Sequence, residues 1–423
     1  MTSPLETDID TSTTRLRQGE HASREATHRF VDGVLSGSVD LDAFGRWLVA
    51  LADLGESADE IAGVAAALRA RMLPVAHDLP IVADTCGTGG DGSGSFNIST
   101  AAAIVASAAG LAVAKHGNRA VSSRTGSGDV LEALGVKIDA APATAVRCLE
   151  RIGLCFCLAP IHHPAMARVG PLRKALGRPT VFNLVGPLCN PAGANVQVIG
   201  VGRPAAREPM ARAAMMLGAK RVLVVSGTIA GDGAKAFDEV SLFGPTDVID
   251  VSATGEARHR WTPEDFGIPL ASVAAMEELL VSNPTESAAA IRDVLSGSRG
   301  PRRDIVVLNA ATILWAAGSA ATDCMAAMAE PAFPARAVVA PRSREKRAMR
   351  IMMKLFMRGG RGFQRFFSGT DGGSKIEQHF LHESTGGGFG RRRRFWQNHF
   401  GDGVERLFED RHAVVLEFLE LGG

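Results

Sequence analysis

The chain has 423 residues, of which 46% are hydrophobic and 22% charged, and its formal net charge is +1. This length exceeds what one compact core usually requires, so we expect at least two folding units with the composition of a soluble globular protein. No apolar run approaches the length of a membrane span, which excludes a helical membrane protein.

The first 14 residues are rich in Thr, Ser and Asp, and we expect them to be disordered. Glu6, Asp8 and Asp10 make this terminus unlike a signal or transit peptide. The six cysteines show no paired zinc spacing, so buried, reduced thiols are the simplest interpretation. Both observations predict a cytoplasmic protein.

Three amphipathic patterns then predict a small all-helical domain over residues 15–78, joined by part of 163–180. The third pattern opens on a capping box formed by Ser57 and Glu60. The predicted helices lie near Glu20–Leu35, Leu41–Leu54 and Ser57–Met72.

Short apolar runs alternate with helical patterns from about residue 79, and we predict an α/β domain over residues 79–322. This alternation predicts a mostly parallel central sheet covered on both faces, with ligands at the carboxyl ends of the strands. The strands are expected near Ile81–Ala83, Leu111–Ala114, Leu154–Leu158, Val196–Val201 and Arg221–Ser226, and the helices near Ile98–Ala109, Asp129–Leu134, Pro142–Ile152, Met166–Leu176, Ala205–Leu217 and Leu308–Ala317.

The segment Asp84–Thr100, DTCGTGGDGSGSFNIST, joins a predicted strand to a predicted helix. Glycine allows backbone N–H groups to approach phosphate oxygens closely, and a helix N-terminus favours negative charge. The spacing matches neither a Walker loop nor the dinucleotide fingerprint. We therefore predict a phosphate-binding loop rather than a flexible linker.

A second polar segment, Lys115–Ser127 or KHGNRAVSSRTGS, follows the next predicted strand. Lys115 and Arg119 are cations, Asn118 donates and accepts hydrogen bonds, and the serines add hydroxyl groups. This mixture suits a polyanionic, hydroxylated ligand such as a sugar phosphate, although a solvated loop is the alternative.

The composition changes near residue 323, and the tail 323–423 is basic and rich in Gly, Arg and Phe. Residues 331–423 hold 17 Lys and Arg against 10 Asp and Glu, including the run Arg391–Arg394. The tail is interpreted as a single-stranded nucleic-acid-binding segment, a disordered appendage or the product of a shifted reading frame. A basic run alone is a weak indication of nucleic-acid binding, so we favour a frame disruption or an unrelated extension.

Four stretches together resemble the anthranilate phosphoribosyltransferase family. They are DTCGTGGDGSGSFNIST, KHGNRAVSSRTGSGDVLEALGV, HPAMARVGPLRKALGRPTVFNLVGPLCNPA and FDEVSLFGPT. The related pyrimidine nucleoside phosphorylases share the first two stretches but are less similar between His163 and Pro191. The resemblance implies the nucleoside phosphorylase/phosphoribosyltransferase fold class, with a helical domain beside the α/β domain.

The resemblance also implies a reaction and its participants. Anthranilate displaces pyrophosphate from phosphoribosyl pyrophosphate in tryptophan biosynthesis, Mg²⁺ is the cofactor, and a homodimer forms through the helical domain. No membrane partner is expected, and nucleic acid is expected at most at the tail. The residues implied to contact phosphoribosyl pyrophosphate are Gly87, Gly90, Asp91, Ser95, Asn97, Ile98, Ser99, Thr100, Lys115, Ser123 and Ser127.

The metal ligands implied by the same resemblance are Ser99, Asp238 and Glu239. Here Ala236 and Phe237 precede the acidic pair where the family usually has Gly-Leu, and Ser95 replaces the commoner Thr. The anthranilate-binding residues implied are Gly87, Asn118, His163 and Arg173, with Gly177 allowing close approach. Arg173 fits best because a guanidinium pairs bidentately with a benzoate carboxylate.

The sequence is also compatible with two other functions. A pyrimidine nucleoside phosphorylase-like enzyme would share the loops but use phosphate and a nucleoside. A catalytically silent nucleic-acid binder of the same fold would use the basic tail.

Overall fold

The computed structural model describes residues 3–120, 124–230 and 235–318. Ser123 and the tail predicted from residue 323 onward lie outside these ranges. Within the described ranges, no helix is both long enough and apolar enough to cross a membrane.

Four helices form the N-terminal domain, one more than the sequence patterns predict. The last three match the predicted patterns, and the capping box of Ser57 and Glu60 is present. The helices are α1 (Pro4–Arg17), α2 (Arg24–Ser36), α3 (Leu41–Leu54) and α4 (Ala58–Ala70).

The disorder predicted over residues 1–14 is wrong for residues 4–14, because α1 covers Pro4–Arg17. Ser3 and Glu6 form a reciprocal capping box, and Pro4 occupies the first turn, where its missing N–H costs nothing. Ile9 and Leu16 are buried, and α1 packs against α3. The few apolar residues of α1 form a narrow stripe on a mostly polar helix. The helix is stabilised by packing of this stripe against α3, so composition alone did not predict it.

The α/β domain contains one eight-stranded sheet. Its strands are β1 (Ala83–Gly87), β2 (Val113–Gly117), β3 (Leu154–Leu158), β4 (Val196–Gly200), β5 (Arg221–Ile229), β6 (Lys235–Phe237), β7 (Thr246–Ser252) and β8 (Gly255–Trp261). The order across the sheet is β3-β2-β1-β4-β5-β7-β8, and β6 pairs with β5. The first five strands of this order are parallel and the remaining pairings are antiparallel, so the mostly parallel sheet is confirmed.

Strands β1 and β2 continue further than the sequence predicts. Each was expected to end at an alanine, Ala83 or Ala114, but each runs on to a glycine. Asp84 is buried and accepts hydrogen bonds from Asn190 Nδ2 at 2.8 Å and the His116 amide at 3.4 Å. Ladder pairing with β4 and these local partners overcome the weak strand propensity of the polar residues.

The helices of this domain cover both faces of the sheet. They are α5 (Ile98–Ala108), α6 (Ser127–Ala133), α7 (Pro142–Ile152), α8 (Ala159–His162), α9 (Gly170–Leu176), α10 (Arg207–Met216), α11 (Pro284–Leu295) and α12 (Pro301–Ala316). On one face, α5 and α12 pack against the sheet over an apolar core. On the other face, α10 packs against β5 and β7, and α4 packs against α10, so the helical domain shares a core with the sheet.

The segment after α8 returns to the helical domain. Val169 is fully buried in the core shared with α3, and Leu172 packs against that core. The single helix predicted over Met166–Leu176 is instead a 3₁₀ turn, Pro164–Arg168, followed by α9. Gly170 and Pro171 explain the break, because glycine has a low helix propensity and proline lacks an amide donor. The exact domain boundaries stay predictions.

Candidate active site

The glycine-rich loop lies between β1 and α5, as the sequence predicts. Gly89, Gly90, Gly92 and Gly94 have φ angles of 70°, 79°, 69° and 70°. Side chains disfavour this left-handed region, so glycine is required at each position. The loop follows the carboxyl end of the parallel strands and leads into a helix N-terminus, an arrangement suited to an anion.

Asn97 occupies the N-terminus of α5 but does not cap it. Its Oδ1 accepts hydrogen bonds from Thr125 Oγ1 at 2.8 Å and Ser287 Oγ at 2.9 Å. The backbone of the next residues is turned toward the acidic pair, because Ser99 N donates to Glu239 Oε1 at 3.1 Å. Asn97 therefore connects the start of α5 to the second polar segment and to α11.

Three glycines make room for the turn that carries Asp238 and Glu239. A Cβ on Gly87 would overlap the Asp238 carboxylate, one on Gly200 would overlap the Asp238 carbonyl, and one on Gly227 would overlap the Glu239 carbonyl. These glycines lie on β1, β4 and β5. The turn can cross the ends of three strands only because these positions lack side chains.

The acidic turn contacts the glycine loop directly. Gly89 N donates to Asp238 Oδ2 at 3.0 Å, and Asp91 Oδ2 accepts from Asp238 N at 3.5 Å. Phe237, part of the local departure from the family pattern, is fully buried in the main core. Packing of Phe237 in this core therefore anchors the turn.

Burial and mutual repulsion make these carboxylates unusual. Burial and the adjacent Asp91 carboxylate raise the pKa of Asp238 to about 8. The pKa of Glu239 is raised well above its ordinary value, mainly by burial and then by Asp238. A cation placed between the carboxylates would restore their charged forms.

Lys115 is the cation that β2 directs into this region. Its Nζ donates to Thr85 O at 2.9 Å and to Ser99 Oγ at 3.3 Å. Among the described residues, no cluster of three or more His, Cys, Asp or Glu side chains forms a metal cage. The donor set of two carboxylates and a hydroxyl fits a Mg²⁺ ion that takes its other ligands from phosphates and water.

The second polar segment is only partly directed at the glycine loop. Arg119 forms a bidentate pair with Glu132, with N–O distances of 2.7 and 2.8 Å, and also contacts Asp129. Ser127 begins α6 and donates to Asn118 O at 3.4 Å. Arg119 therefore fixes its own loop instead of binding an anion, unlike the role considered for it from the sequence.

The remaining residues predicted to contact phosphoribosyl pyrophosphate differ in their accessibility to solvent. Ser95 Oγ lies 3.2 Å from Ser93 Oγ, whereas Ile98 and Thr100 are buried. Thr100 Oγ1 has no hydrogen-bond partner within the described ranges. Ser95 is therefore the more accessible hydroxyl, whereas the Ile98 side chain packs in the core of the α/β domain.

Two histidines form a buried pair beside the predicted acceptor region. His163 Nε2 donates to Cys189 O at 3.0 Å, His116 Nδ1 donates to Gly186 O at 3.0 Å, and the rings lie 5.1 Å apart. Each ring's other nitrogen is buried and has no partner among the described residues. Burial lowers the pKa of His116 to about 3 and of His163 to about 4, so both rings are neutral acceptors.

His116 was not singled out from the sequence. Its only sequence signal is its position in the KHGN stretch, one residue after Lys115 and two before Asn118. Asn118 Oδ1 accepts from the Arg119 amide at 2.8 Å. The pairing of His116 with His163 depends on the return of a distant segment.

Arg173 lies on α9 with its guanidinium 5.5 Å from the centre of the Phe182 ring. Burial lowers its pKa, and no carboxylate in the described part of the chain pairs with it. Gly177, with φ of 60°, ends the helix. A half-buried, unpaired guanidinium is a ready partner for a ligand carboxylate. No hydrogen bond between described residues connects Arg173 to His163 or to the glycine loop.

The comparisons with known proteins identify this architecture. Residues 12–72 match the helical bundle domain and residues 79–333 the a/b domain of a glycosyl transferase family. The fold and site thus define a two-domain glycosyltransferase.

Curated relatives show which family of glycosyltransferases this is. An anthranilate phosphoribosyltransferase from Rhodopirellula baltica is 46% identical over 301 residues, covering 71% of this chain and 85% of the relative. One from Methylorubrum extorquens strain PA1 is 48% identical over 303 residues, covering 71% of this chain and 87% of the relative. The chain belongs to the anthranilate phosphoribosyltransferase family.

Solved structures agree with this assignment. The crystal structure of anthranilate phosphoribosyltransferase from Thermus thermophilus has a TM-score of 0.67 and 38% identity, covering 82% of this chain and 99% of that one. The enzyme from Saccharomyces cerevisiae in complex with PRPP and Mg has a TM-score of 0.68 and 27% identity, covering 83% and 97%. The family predicted from the four sequence stretches is therefore confirmed.

Proposed function

We propose that this chain transfers the phosphoribosyl group of phosphoribosyl pyrophosphate to anthranilate, as an enzyme of tryptophan biosynthesis. The amine nitrogen forms a bond to C1 of the ribose, the C1–oxygen bond to pyrophosphate breaks, and the amine loses a proton. The observation that carries this proposal is the contact of the glycine loop with the Asp238–Glu239 turn. An anion loop and a pair of cation-binding carboxylates at one position suit a Mg²⁺-bound diphosphate.

The donor is held by the glycine loop, the start of α5 and the second polar segment. The Gly90 and Asp91 amides have no partner in the described part of the chain and can donate to phosphate oxygens. Lys115 supplies positive charge beside Ser99. We propose that Gly87, Gly90, Asp91, Ser95, Asn97, Ile98, Ser99, Thr100, Lys115, Ser123 and Ser127 form this donor site.

Mg²⁺ is proposed to bind Ser99, Asp238 and Glu239, where it would neutralise charge on the leaving pyrophosphate. The solved yeast relative contains Mg together with PRPP. Charge development at the leaving group makes positioning and electrostatic stabilisation the main contributions of the protein. An arylamine is nucleophilic without prior deprotonation, so a strong base is not required.

Anthranilate is proposed to bind on the Asn118, His163 and Arg173 side, with Gly87 between donor and acceptor. Arg173 would pair with the carboxylate. The unpaired nitrogens of His163 and His116 are acceptors suited to the N–H groups of an amine. A solved yeast relative binds 4-fluoroanthranilate, an acceptor analogue.

The test is an assay of purified full-length protein with phosphoribosyl pyrophosphate, anthranilate and Mg²⁺. We expect anthranilate fluorescence to fall as pyrophosphate appears in equal amounts. The parallel assay replaces anthranilate and donor with thymidine and phosphate. Turnover only in the second assay would favour the nucleoside phosphorylase alternative and contradict the proposal.

Two further features are proposed with this function. The protein is expected to be a homodimer through the helical domain, which sedimentation of the full chain would measure. It is also expected to be cytoplasmic. The five cysteines in the described ranges are all buried and unbridged, as suits a reducing compartment.

A further inference from the structure

Arg124 extends from the second polar segment to the distal end of the glycine loop. Its Nη1 and Cζ lie 3.5 and 3.6 Å from the position that a Cβ on Gly94 would occupy. Nη1 also donates to Val281 O at 3.3 Å. The residue is exposed, so its remaining guanidinium donors face solvent at the loop.

Two independent contacts fix Arg124 relative to this loop. The next residue, Thr125, donates to Asn97 Oδ1 at 2.8 Å. The extended segment that accepts the Arg124 hydrogen bond is paired with the loop itself, because Val281 N donates to Gly94 O at 3.1 Å. The Thr125 contact therefore holds the backbone beside Arg124, and the Val281 contact holds its guanidinium.

The charges around the loop leave Arg124 as an available cation. Lys115 already donates to Thr85 and Ser99 beside Glu239, and Arg119 is paired with Glu132 and Asp129. Arg124 has no ion pair with any residue in the described ranges. Asp91, Asp238 and Glu239 add negative charge that opposes binding of a phosphate ligand, so an unpaired cation nearby has a clear electrostatic benefit.

We propose that the Arg124 guanidinium binds a phosphate group of the donor at the distal end of the glycine loop. This inference rests on the proposed function. Arginine suits the role because its planar fork presents parallel N–H donors to phosphate oxygens, while the Val281 contact holds the fork in place.

The test compares Arg124→Gln and Arg124→Lys with the unaltered full-length enzyme. For Arg124→Gln, we expect the KM for phosphoribosyl pyrophosphate to rise about tenfold, the effect of losing one charge-assisted hydrogen bond. The anthranilate KM and kcat should change less than about twofold, and Arg124→Lys should recover part of the loss. The dependence of the donor KM on salt should become shallower.

Calorimetry supplies a readout independent of turnover. Pyrophosphate with Mg²⁺ and ribose 5-phosphate are titrated separately into each variant. Weakened binding of one ligand identifies which phosphate group Arg124 contacts, and either loss supports the proposal. Unchanged binding of both, with an unchanged donor KM, would overturn it.

Arg302→Gln is the matched control. Arg302 also donates to a carbonyl of the adjoining segment, that of Glu278, but lies beside Asp293 on α11. Arg302→Gln should leave the KM for phosphoribosyl pyrophosphate unchanged. Equal effects of Arg124→Gln and Arg302→Gln would assign Arg124 a structural role only. Inactivity of the unaltered enzyme would instead refute the proposed function.

Discussion

Arg173 differs from the ion-paired surface arginines in the described part of the chain. It is half-buried against Phe182 and has no acidic partner in the described ranges, whereas Arg178 on the same segment pairs with Asp53 at 2.7 Å. An uncompensated guanidinium costs desolvation energy, which a ligand carboxylate would offset.

We predict that Arg173→Ala raises the KM for anthranilate by about 10- to 100-fold, the range expected for a charge-assisted, bidentate contact. The KM for the donor should change much less. Steady-state kinetics with each substrate varied would measure this difference. Arg178→Ala is the control, and equal damage to both KM values in Arg173→Ala would count against its role.

Asp238 contacts the glycine loop directly, because it accepts a hydrogen bond from the Gly89 amide at 3.0 Å. We predict that Asp238→Asn raises the Mg²⁺ concentration required for half-maximal rate by about tenfold or more, because one charged oxygen ligand becomes neutral. A magnesium titration of the rate, with calorimetry of Mg²⁺-dependent pyrophosphate binding, would measure this effect.

Glu256→Gln is the control for this variant, because Glu256 is paired with Arg258 on the edge strand β8. An unchanged magnesium profile in Asp238→Asn would refute the assignment of Asp238 as a ligand.

At the scale of elements, the ends of β1, β4 and β5 are shaped by glycine. Gly87 and Gly200 are direct register partners, so two adjacent strands lack side chains at the same level. The acidic turn occupies this space and brings its carboxylates to the glycine loop. The sequence predicts the glycine loop and the acidic pair separately. Strand pairing is what places the acidic turn against the glycines at the strand ends.

We predict that Gly200→Ala lowers kcat/KM by about 100-fold, since a displacement of about 1 Å in a positioned group has that effect. The new methyl group would overlap the Asp238 carbonyl, and overpacking should also lower the free energy of unfolding by about 1–3 kcal/mol. Kinetics and urea unfolding would measure both quantities.

Gly186→Ala is the matched control, because a Cβ there meets no atom within 4 Å and its φ is not positive. Gly200→Ala with normal activity would show that the turn can shift without consequence.

At the scale of the whole molecule, the buried histidine pair joins the sheet to the segment that returns to the helical domain. His116 lies near the end of β2, and His163 precedes the returning segment. Their pKa values of about 3 and 4 lie below the unfolded value, so between about pH 6.5 and pH 4 the unfolded state binds protons that the native state does not. Folding stability must therefore fall as pH falls through this window.

Each histidine should remove up to about 1.4 kcal/mol of stability per pH unit in that window. Asp84 opposes this trend, because burial raises its pKa to about 6 and the native state takes up its proton first. His162 and Lys115 are the other charged or titratable groups that act on the pair. The comparison between variants is therefore more informative than the wild-type curve alone.

We predict that His163→Gln flattens the dependence of unfolding free energy on pH between 7 and 5, relative to the unaltered protein, because one proton-binding difference between the native and unfolded states is removed. Urea unfolding at about pH 7 and pH 5 would measure it. His28→Gln on α2 is the control, and parallel slopes for the His163 variant and the unaltered protein would contradict the prediction.

Local signals in the sequence were sufficient for the strand–glycine loop–helix unit and for the cationic segment that begins at Lys115 in β2. Each depends on residue types and spacings within one short stretch, as with the left-handed glycines from Gly89 to Gly94. The family resemblance then connected these stretches to one reaction. Local signals did not show that Gly170 and Pro171 divide the helix predicted over Met166–Leu176. Helix α1 was not predicted, because its few apolar residues indicate a buried face only when α3 packs against them.

The sequence by itself determined the fold class and the segments that carry the chemistry, because short-range periodicity and turn chemistry depend on neighbouring residues. The resemblance of four stretches to known proteins indicated the family. Only the tertiary structure decided that Arg119 is committed to Glu132, that Arg124 reaches the glycine loop and that His116 pairs with His163. The physical reason is that charge pairing and burial depend on which distant segments meet, and strand register with domain packing determines those meetings.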